Sequence, residues 1–176
     1  MKEINKPFLF LDIDGVLSLD FDEYTYSNQK KWNPKVMRCN FNKKAVKVLN
    51  EICAAVDLVI ILSSDWKDHY EIEFMNEFFE WNGITHEISD YTSTLWGIQF
   101  TKLEELEECR AYEILLYVQE HEIKNYVAID DLNLSPWIPN NFVHIPCSNE
   151  GIKQSGVKDK ILSILLNKKD ENKKAL

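Results

Sequence analysis

Cysteine is sparse in this chain and falls in no metal-binding pattern. The four residues, Cys39, Cys53, Cys109 and Cys147, include no CxxC pair and have no histidine at ligand spacing, which argues against a zinc site. Cys53 and Cys109 fall in apolar helical patterns, where a thiol behaves as a small hydrophobe. The histidines (His69, His86, His121, His144) are scattered and form no set. No stretch approaches the ~20 apolar residues needed to cross a bilayer. The first apolar run, Phe8 to Leu11, is short and leads straight into Asp12, so no signal peptide is expected. A reducing cytoplasm is the expected location, and repeats and low-complexity segments are absent. Positive charge is also scarce. The chain has 20 basic against 29 acidic side chains, a formal charge of −9, and such a field repels polyanions. Nucleic acid is therefore not the default partner. Lys43, Lys44 and Lys47 form a local basic exception, or else a solvated helix face.

What is present is the material of one α/β domain. With 176 residues and a hydrophobic fraction of 45%, the chain has enough for a single core over residues 1–167. Phe8–Leu11 and Val56–Leu62 are continuous apolar runs, the pattern of strands buried on both faces. Tyr126–Asp130 and Phe142–Ile145 read as further strands, and Ile84–Ile88 as a short one. Helical spacing follows Asn42, an N-cap, to about Ala55, and again over residues 68–81, where Gly83 ends it. Thr101-Lys-Leu-Glu104 fits a capping box for a helix to about Glu122. A last helix covers about residues 157–167, followed by a charged flexible tail, 168–176. Residues 18–41 are polar and aromatic, a loop or small cap insertion. Strands alternating with helices imply a three-layer α/β/α sandwich around a parallel, Rossmann-like sheet. In such sheets the site lies beyond the carboxyl ends of the strands. The reactive residues stand there: Asp12 and Asp14 after the first strand, Ser63 after the second, Asp130 and Asp131 after a later one.

These groups suit phosphoryl transfer. A carboxylate can attack phosphorus to form an aspartyl-phosphate, and Asp12 is the candidate nucleophile. Two residues on, Asp14 is placed to protonate the leaving oxygen and later deprotonate water. Gly15 allows a sharp turn. Crowded carboxylates repel one another, and a divalent cation resolves the conflict. Mg²⁺ prefers oxygen ligands, usually one or two carboxylates plus phosphate and water, so Asp130 or Asp131 would supply a second carboxylate opposite Asp12. Ser63 would donate to a phosphoryl oxygen, and a cationic side chain would balance transition-state charge. Ser64, Lys67 and Lys102 are expected to contact the substrate. Each piece alone has a plainer reading, since Asp and Ser are common in loops and helix caps. Their joint order carries the inference.

Phe8-Leu-Phe-Leu-Asp-Ile-Asp-Gly-Val-Leu17 resembles the first motif of the haloacid dehalogenase (HAD) superfamily. Val59-Ile-Ile-Leu-Ser63 is similar to its second motif and Val127-Ala-Ile-Asp-Asp131 to its acidic fourth. Leu62-Ser-Ser-Asp-Trp-Lys67 and Arg110-Ala-Tyr-Glu-Ile114 resemble more narrowly the small HAD domains related to those of Swiss Army knife RNA-repair proteins. Those usually carry Trp-Arg where this chain has Trp66-Lys67. The resemblance spans roughly residues 7–151. It implies a HAD fold, a Mg²⁺-dependent phosphatase acting through an aspartyl-phosphate, and metal ligation by the main chain of Asp14.

The third HAD motif is a Lys or Arg, and both Lys102 and Arg110 compete for it. A helix of about twelve residues from Arg110 to His121 covers ~18 Å, matching a five-residue strand of ~17 Å. Packed antiparallel to that strand, the helix brings Arg110 near its carboxyl end, so Arg110 is preferred. Its plainer reading is a surface ion pair with Glu107 or Glu113. Trp66, Trp96, Phe21, Tyr24, Tyr26 and Trp32 line a substrate pocket or simply pack. The expected substrate is a phosphorylated small molecule or a nucleic-acid end, with no membrane and no obligate protein partner. A phosphotransferase shares the same covalent intermediate. A non-catalytic HAD-fold binding module is the rival from another class, and its expected mark is loss of one of Asp12, Asp14 and Asp130.

Overall fold

The computed structural model describes residues 6–19, 41–95 and 102–174, with side chains as far as Leu166. Most of the expected cap at 18–41, with Phe21, Tyr24, Tyr26, Trp32 and Cys39, lies outside the described residues. So do Trp96, Thr101 and the last two residues of the tail.

The elements run β1 (Phe8–Leu11), α1 (Lys43–Ala55), β2 (Val59–Leu62), α2 (Ile72–Trp81), β3 (Ile88–Tyr91), α3 (Leu103–Glu120), β4 (Tyr126–Asp130), β5 (Phe142–His144) and α4 (Val157–Lys174). The five strands form one sheet in the order β3-β2-β1-β4-β5, and every pairing is parallel. Side-chain alternation sorts the sheet into two faces. Leu9, Leu11, Ile60, Leu62, Val127 and Ile129 join a core closed by α1, α2 and α4. Phe10, Ile61, Ala128 and Phe142 face the other way, under Ala111, Ile114 and Tyr117 of α3 and under Leu134 and Ile138. Among the described residues, one face therefore has three helices and the other has one. This is a three-layer, Rossmann-like α/β fold. Among the described residues, no helix is long and apolar enough to cross a membrane.

Local chemistry explains where the boundaries fall. Asn42 caps α1, its Oδ1 accepting from the Lys44 and Ala45 amides at 3.0 and 3.1 Å. The strand expected to start at Val56 starts at Val59, because the Val56 amide still closes the last turn of α1 onto Ile52 O at 3.1 Å. The strand expected over Ile84–Ile88 forms at Ile88–Tyr91 instead. The Ile84 amide is spent on Phe79 O, at the end of α2, and the Thr85 amide on Asn50 Oδ1 of α1, so neither can join a ladder. The helix expected over 68–81 starts later, at Ile72, and is preceded by a 3₁₀ turn at Asp65–Asp68. Lys102 is the N-cap of α3 and makes no side-chain cap bond; the capping box expected from Thr101 lies outside the described residues. The last helix runs to Lys174 rather than ending at 167, through lysines and a glutamate that favour helix.

Candidate active site

Strand register sets the site. Leu11 pairs with Leu62 on one side and Ile129 on the other, so the next residues, Asp12, Ser63 and Asp130, form a row at the carboxyl edge. The bonds Ser63 N to Leu11 O (3.0 Å) and Asp12 N to Ile129 O (3.1 Å) fix that row. Alternation places the three on the parity of Phe10, Ile61 and Ala128, the face covered by α3. Arg110 of α3 meets them there. Its Nη1 donates to Asp12 Oδ1 at 3.1 Å and Asp130 Oδ2 at 3.2 Å, and its Nη2 to Asp65 Oδ1.

Each of Asp12, Asp130 and Asp131 offers one carboxylate oxygen within 4.8 Å of the others. Asp131 reaches the group because Gly15 has no side chain. A Cβ at Gly15 would lie 2.3 Å from Asp131 Oδ2, and Gly15 sits at φ +70°. Gly15→Ala is therefore expected to displace the Asp131 carboxylate and to cost about 1–3 kcal/mol of stability from the left-handed backbone. Thermal melts and a Mg²⁺ titration would check it. A variant with wild-type melting and cation affinity would mean that Asp131 is not held there.

The electrostatics are those of an under-compensated acidic site. Burial pushes the Asp12 carboxyl up to about 6, against the lowering pull of Arg110 and a hydrogen bond from Ser64, with Asp131 and Asp14 adding to the rise. Burial raises Asp130 well above the usual carboxylate range, helped by the charge on Asp12. Burial works against the Arg110 charge, but Asp130, Asp12, Asp65 and Glu113 outweigh it and raise its pKa. The Ser63 Oγ is buried with no hydrogen-bond partner among the described residues, and leaving such a group unpaired costs free energy. Three hard oxygen donors with excess negative charge fit a divalent cation of the Mg²⁺ kind. The orphaned hydroxyl beside them fits an anion bound at the same edge.

The family described as HAD domain in Swiss Army Knife RNA repair proteins matches residues 8–156. The chain belongs to that family. No curated protein and no solved structure matched it. Membership of a HAD family supports a hydrolase in general, and HAD proteins typically use a metal ion, which the acidic cluster could hold.

In this HAD domain the residues singled out by sequence fall into two groups. Asp12, Ser63, Ser64, Arg110, Asp130 and Asp131 converge, and Asp14 lies at the rim as an exposed residue. Lys102 is exposed at the N-cap of α3, eight residues before Arg110. Lys67 is turned inward: its Nζ lies 2.6 Å from Glu113 Oε2, with only 3% and 6% of the two side chains exposed. Glu113 does not pair with Arg110; its other oxygen accepts from the Leu95 amide at 3.0 Å. Glu107 accepts from the Asn133 amide. Arg110 is no surface residue.

Sequence reasoning missed Asp65, which sits beside Arg110, and the inward role of Glu113. The second was available, since Glu113 stands three residues from Arg110 and shares its helix face. Asp65 stood within the Leu62–Lys67 motif, but its contact depends on the 3₁₀ turn Asp65–Asp68, which the sequence did not show.

Proposed function

We propose that this HAD domain is a Mg²⁺-dependent phosphomonoester hydrolase that works through an aspartyl-phosphate on Asp12. The observation that carries the reading is the convergence of Asp12, Asp130 and Asp131 to within 4.8 Å, at a strand edge where Arg110 is the buried counter-charge. Asp12, Asp130 and Asp131 would hold the cation, with the main chain of Asp14 added by family resemblance. A bound Mg²⁺ supplies Lewis-acid stabilisation of phosphoryl oxygens.

The chain's own residues supply the remainder. Asp12, one of whose oxygens is held by Arg110, is the nucleophile, and Ser64 orients the same carboxylate. Arg110 balances negative charge on the transferring group. Ser63 Oγ gains its missing partner when a phosphoryl oxygen arrives. Asp14, exposed at the rim, handles the proton of the leaving group and then of water. The substrate proposed is a nucleotide or a nucleic-acid end phosphate in the cytoplasm, supported by the RNA-repair description of the family. The charge of −9 repels the body of a polyanion, so recognition would be confined to the end.

The test is turnover of an aryl phosphate by purified protein with Mg²⁺, and its loss with chelator. Protein that is inert toward every phosphate ester and binds no Mg²⁺ would point to a binding module instead. A thermal measurement accompanies it. The folded chain holds the Asp12 proton up to about 6 and the unfolded chain only to about 4. Between those values the native state binds more protons, so metal-free stability falls as pH rises. Mg²⁺ competes with those protons. The rise in Tm on adding Mg²⁺ is therefore expected to be clearly larger near neutrality than at about pH 5. Equal shifts at both would separate the cation from these carboxylates.

A further inference from the structure

Trp66 lies in the 3₁₀ turn Asp65–Asp68 that follows β2. Its indole Nε1–H donates to Asp14 Oδ2 at 2.8 Å. The ring is held by Phe41, Phe78 and Tyr70, with centroids 5.8, 5.8 and 6.1 Å away. Phe41 and Phe78 belong to the main core and are each 2% exposed. An exposed carboxylate is thus tied to a rigid part of the molecule. That coupling matters for a group that transfers protons, because a misplacement of ~1 Å at a reacting centre can cost about 100-fold in rate.

We propose that Trp66 is a positioning residue for the acid–base work of Asp14, gripping Oδ2 as an acceptor so that the travelling proton is carried on Oδ1. The inference rests on the phosphohydrolase reading and adds a residue to it. An indole N–H only donates, so the oxygen it engages serves as the acceptor of the carboxyl group. In the first half-reaction an Asp12 oxygen bonds to phosphorus as the bond from phosphorus to the ester oxygen breaks. The electron pair leaves with that oxygen, which takes the proton from Asp14 Oδ1. In the second, a water oxygen bonds to phosphorus and its proton passes to Asp14 Oδ1. The bond between phosphorus and Asp12 then breaks, releasing inorganic phosphate and restoring the carboxylate.

A packing role and a positioning role differ in leaving-group dependence. An alkoxide needs a proton to depart, and an acidic phenol does not. kcat/KM reports only steps through departure of the leaving group. Trp66→Phe keeps the aromatic packing and removes the N–H. It is expected to lower kcat/KM about 30-fold for an alkyl phosphate and less than about 3-fold for an aryl phosphate, a part of the 10²–10⁴ that general acid–base catalysis supplies. Hydrolysis of the aspartyl-phosphate, common to both esters, also slows, so the variant should release a burst of phenol, one per site, before its steady state.

Combined with Asp14→Asn, Trp66→Phe should add no further loss, because it acts through Asp14. Equal losses for both esters without a burst, or additive losses in the double variant, assign Trp66 to packing and overturn the inference. If Trp66→Phe does not fold, NMR of the indole N–H groups decides. Asp14→Ala should move one of those resonances upfield, and no response overturns the inference. Wild-type protein inert toward both esters overturns the phosphohydrolase reading and this inference with it. Active wild-type protein with equal losses overturns only the latter.

Discussion

Asp12→Asn is expected to abolish phosphatase turnover and at the same time raise the melting temperature of the metal-free protein. The first half follows from chemistry. An amide cannot attack phosphorus as a carboxylate does, and loss of a nucleophile in comparable covalent mechanisms costs about 10⁴-fold or more. The second half follows from burial. At neutral pH the native state must hold Asp12 ionised although burial pushes its carboxyl up to about 6 from the ordinary carboxylate range, a burden on the order of 3 kcal/mol. Asparagine keeps the size of the side chain and an oxygen for Ser64 and Arg110, and it removes the charge. Some of the gain is lost because Arg110 then has one carboxylate fewer, but Asp130 and Asp65 remain bonded to it. A net gain of about 1–2 kcal/mol is expected, or several degrees in Tm for a chain of this size. The gain should shrink as pH falls from about 6 to below about 4, where Asp12 is protonated in both folded and unfolded chains. Turnover assays and calorimetry in chelator check the two halves separately. Retained turnover would remove Asp12 from the nucleophile's role, and a lower Tm would show that the Arg110 pairing outweighs the cost of burial.

The same trade-off explains which parts of the molecule were legible in the sequence. β1, β2 and β4 are each apolar on both faces because helices cover both sides of the sheet, and that pattern survives in a bare string of letters. β3 does not have it. Its residues Ile88-Ser-Asp-Tyr91 lie at the sheet edge with only Ile88 buried, and a register shift between Ile60 and Ile61 breaks their pairing with β2. Its place is decided by where the amides of Ile84 and Thr85 are spent, which is tertiary information. α3 was legible as a helix, expected to about Glu122 and observed over Leu103–Glu120, but its buried face was not. Its buried side includes Arg110 and Glu113 beside Cys109, Ala111, Ile114 and Tyr117, so charge stands where an apolar stripe is expected.

For the candidate site, strand-end position located Asp12, Ser63, Asp130 and Asp131, because a parallel sheet carries all its strand ends to one edge. Contacts made by turns escaped that logic. The reach of Trp66 to Asp14 across 52 positions, the approach of Asp65 to Arg110, and the burial of Lys67 against Glu113 all arise from the segment after β2. A 3₁₀ turn there, rather than a continuous helix, sets the directions of three consecutive side chains. Lys67 was read from sequence as a substrate contact, and its place in a buried pair shows how little a residue's charge says about its direction.

Arg110→Met is expected to weaken the fold, reduce turnover and yet tighten Mg²⁺ binding. Arg110 donates to Asp12 and Asp130 with both partners almost fully buried. Removing one member of a buried ionic cluster leaves the others uncompensated, which typically costs about 3–5 kcal/mol. Methionine retains much of the volume, so the loss reports charge more than a cavity. The pH dependence has a definite sign. Without the guanidinium the carboxyls of Asp12 and Asp130 rise further above their unfolded values. The native state then binds still more protons than the unfolded chain, and stability falls more steeply with rising pH than in the wild type. Near pH 4 the two proteins should melt at similar temperatures, and toward neutrality they should diverge. A divalent cation now meets the same carboxylates without a competing positive charge, so calorimetric titration should show higher Mg²⁺ affinity and a larger Mg²⁺-induced rise in Tm. Turnover should still fall about 10²–10³-fold, the usual effect of removing one preorganised electrostatic contact to a transition state. Arg110→Lys restores the charge without the planar fork and is expected to recover stability better than rate. Weaker Mg²⁺ binding in Arg110→Met would mean that Arg110 holds the carboxylates in place for the cation, and that geometry rather than charge balance governs the site.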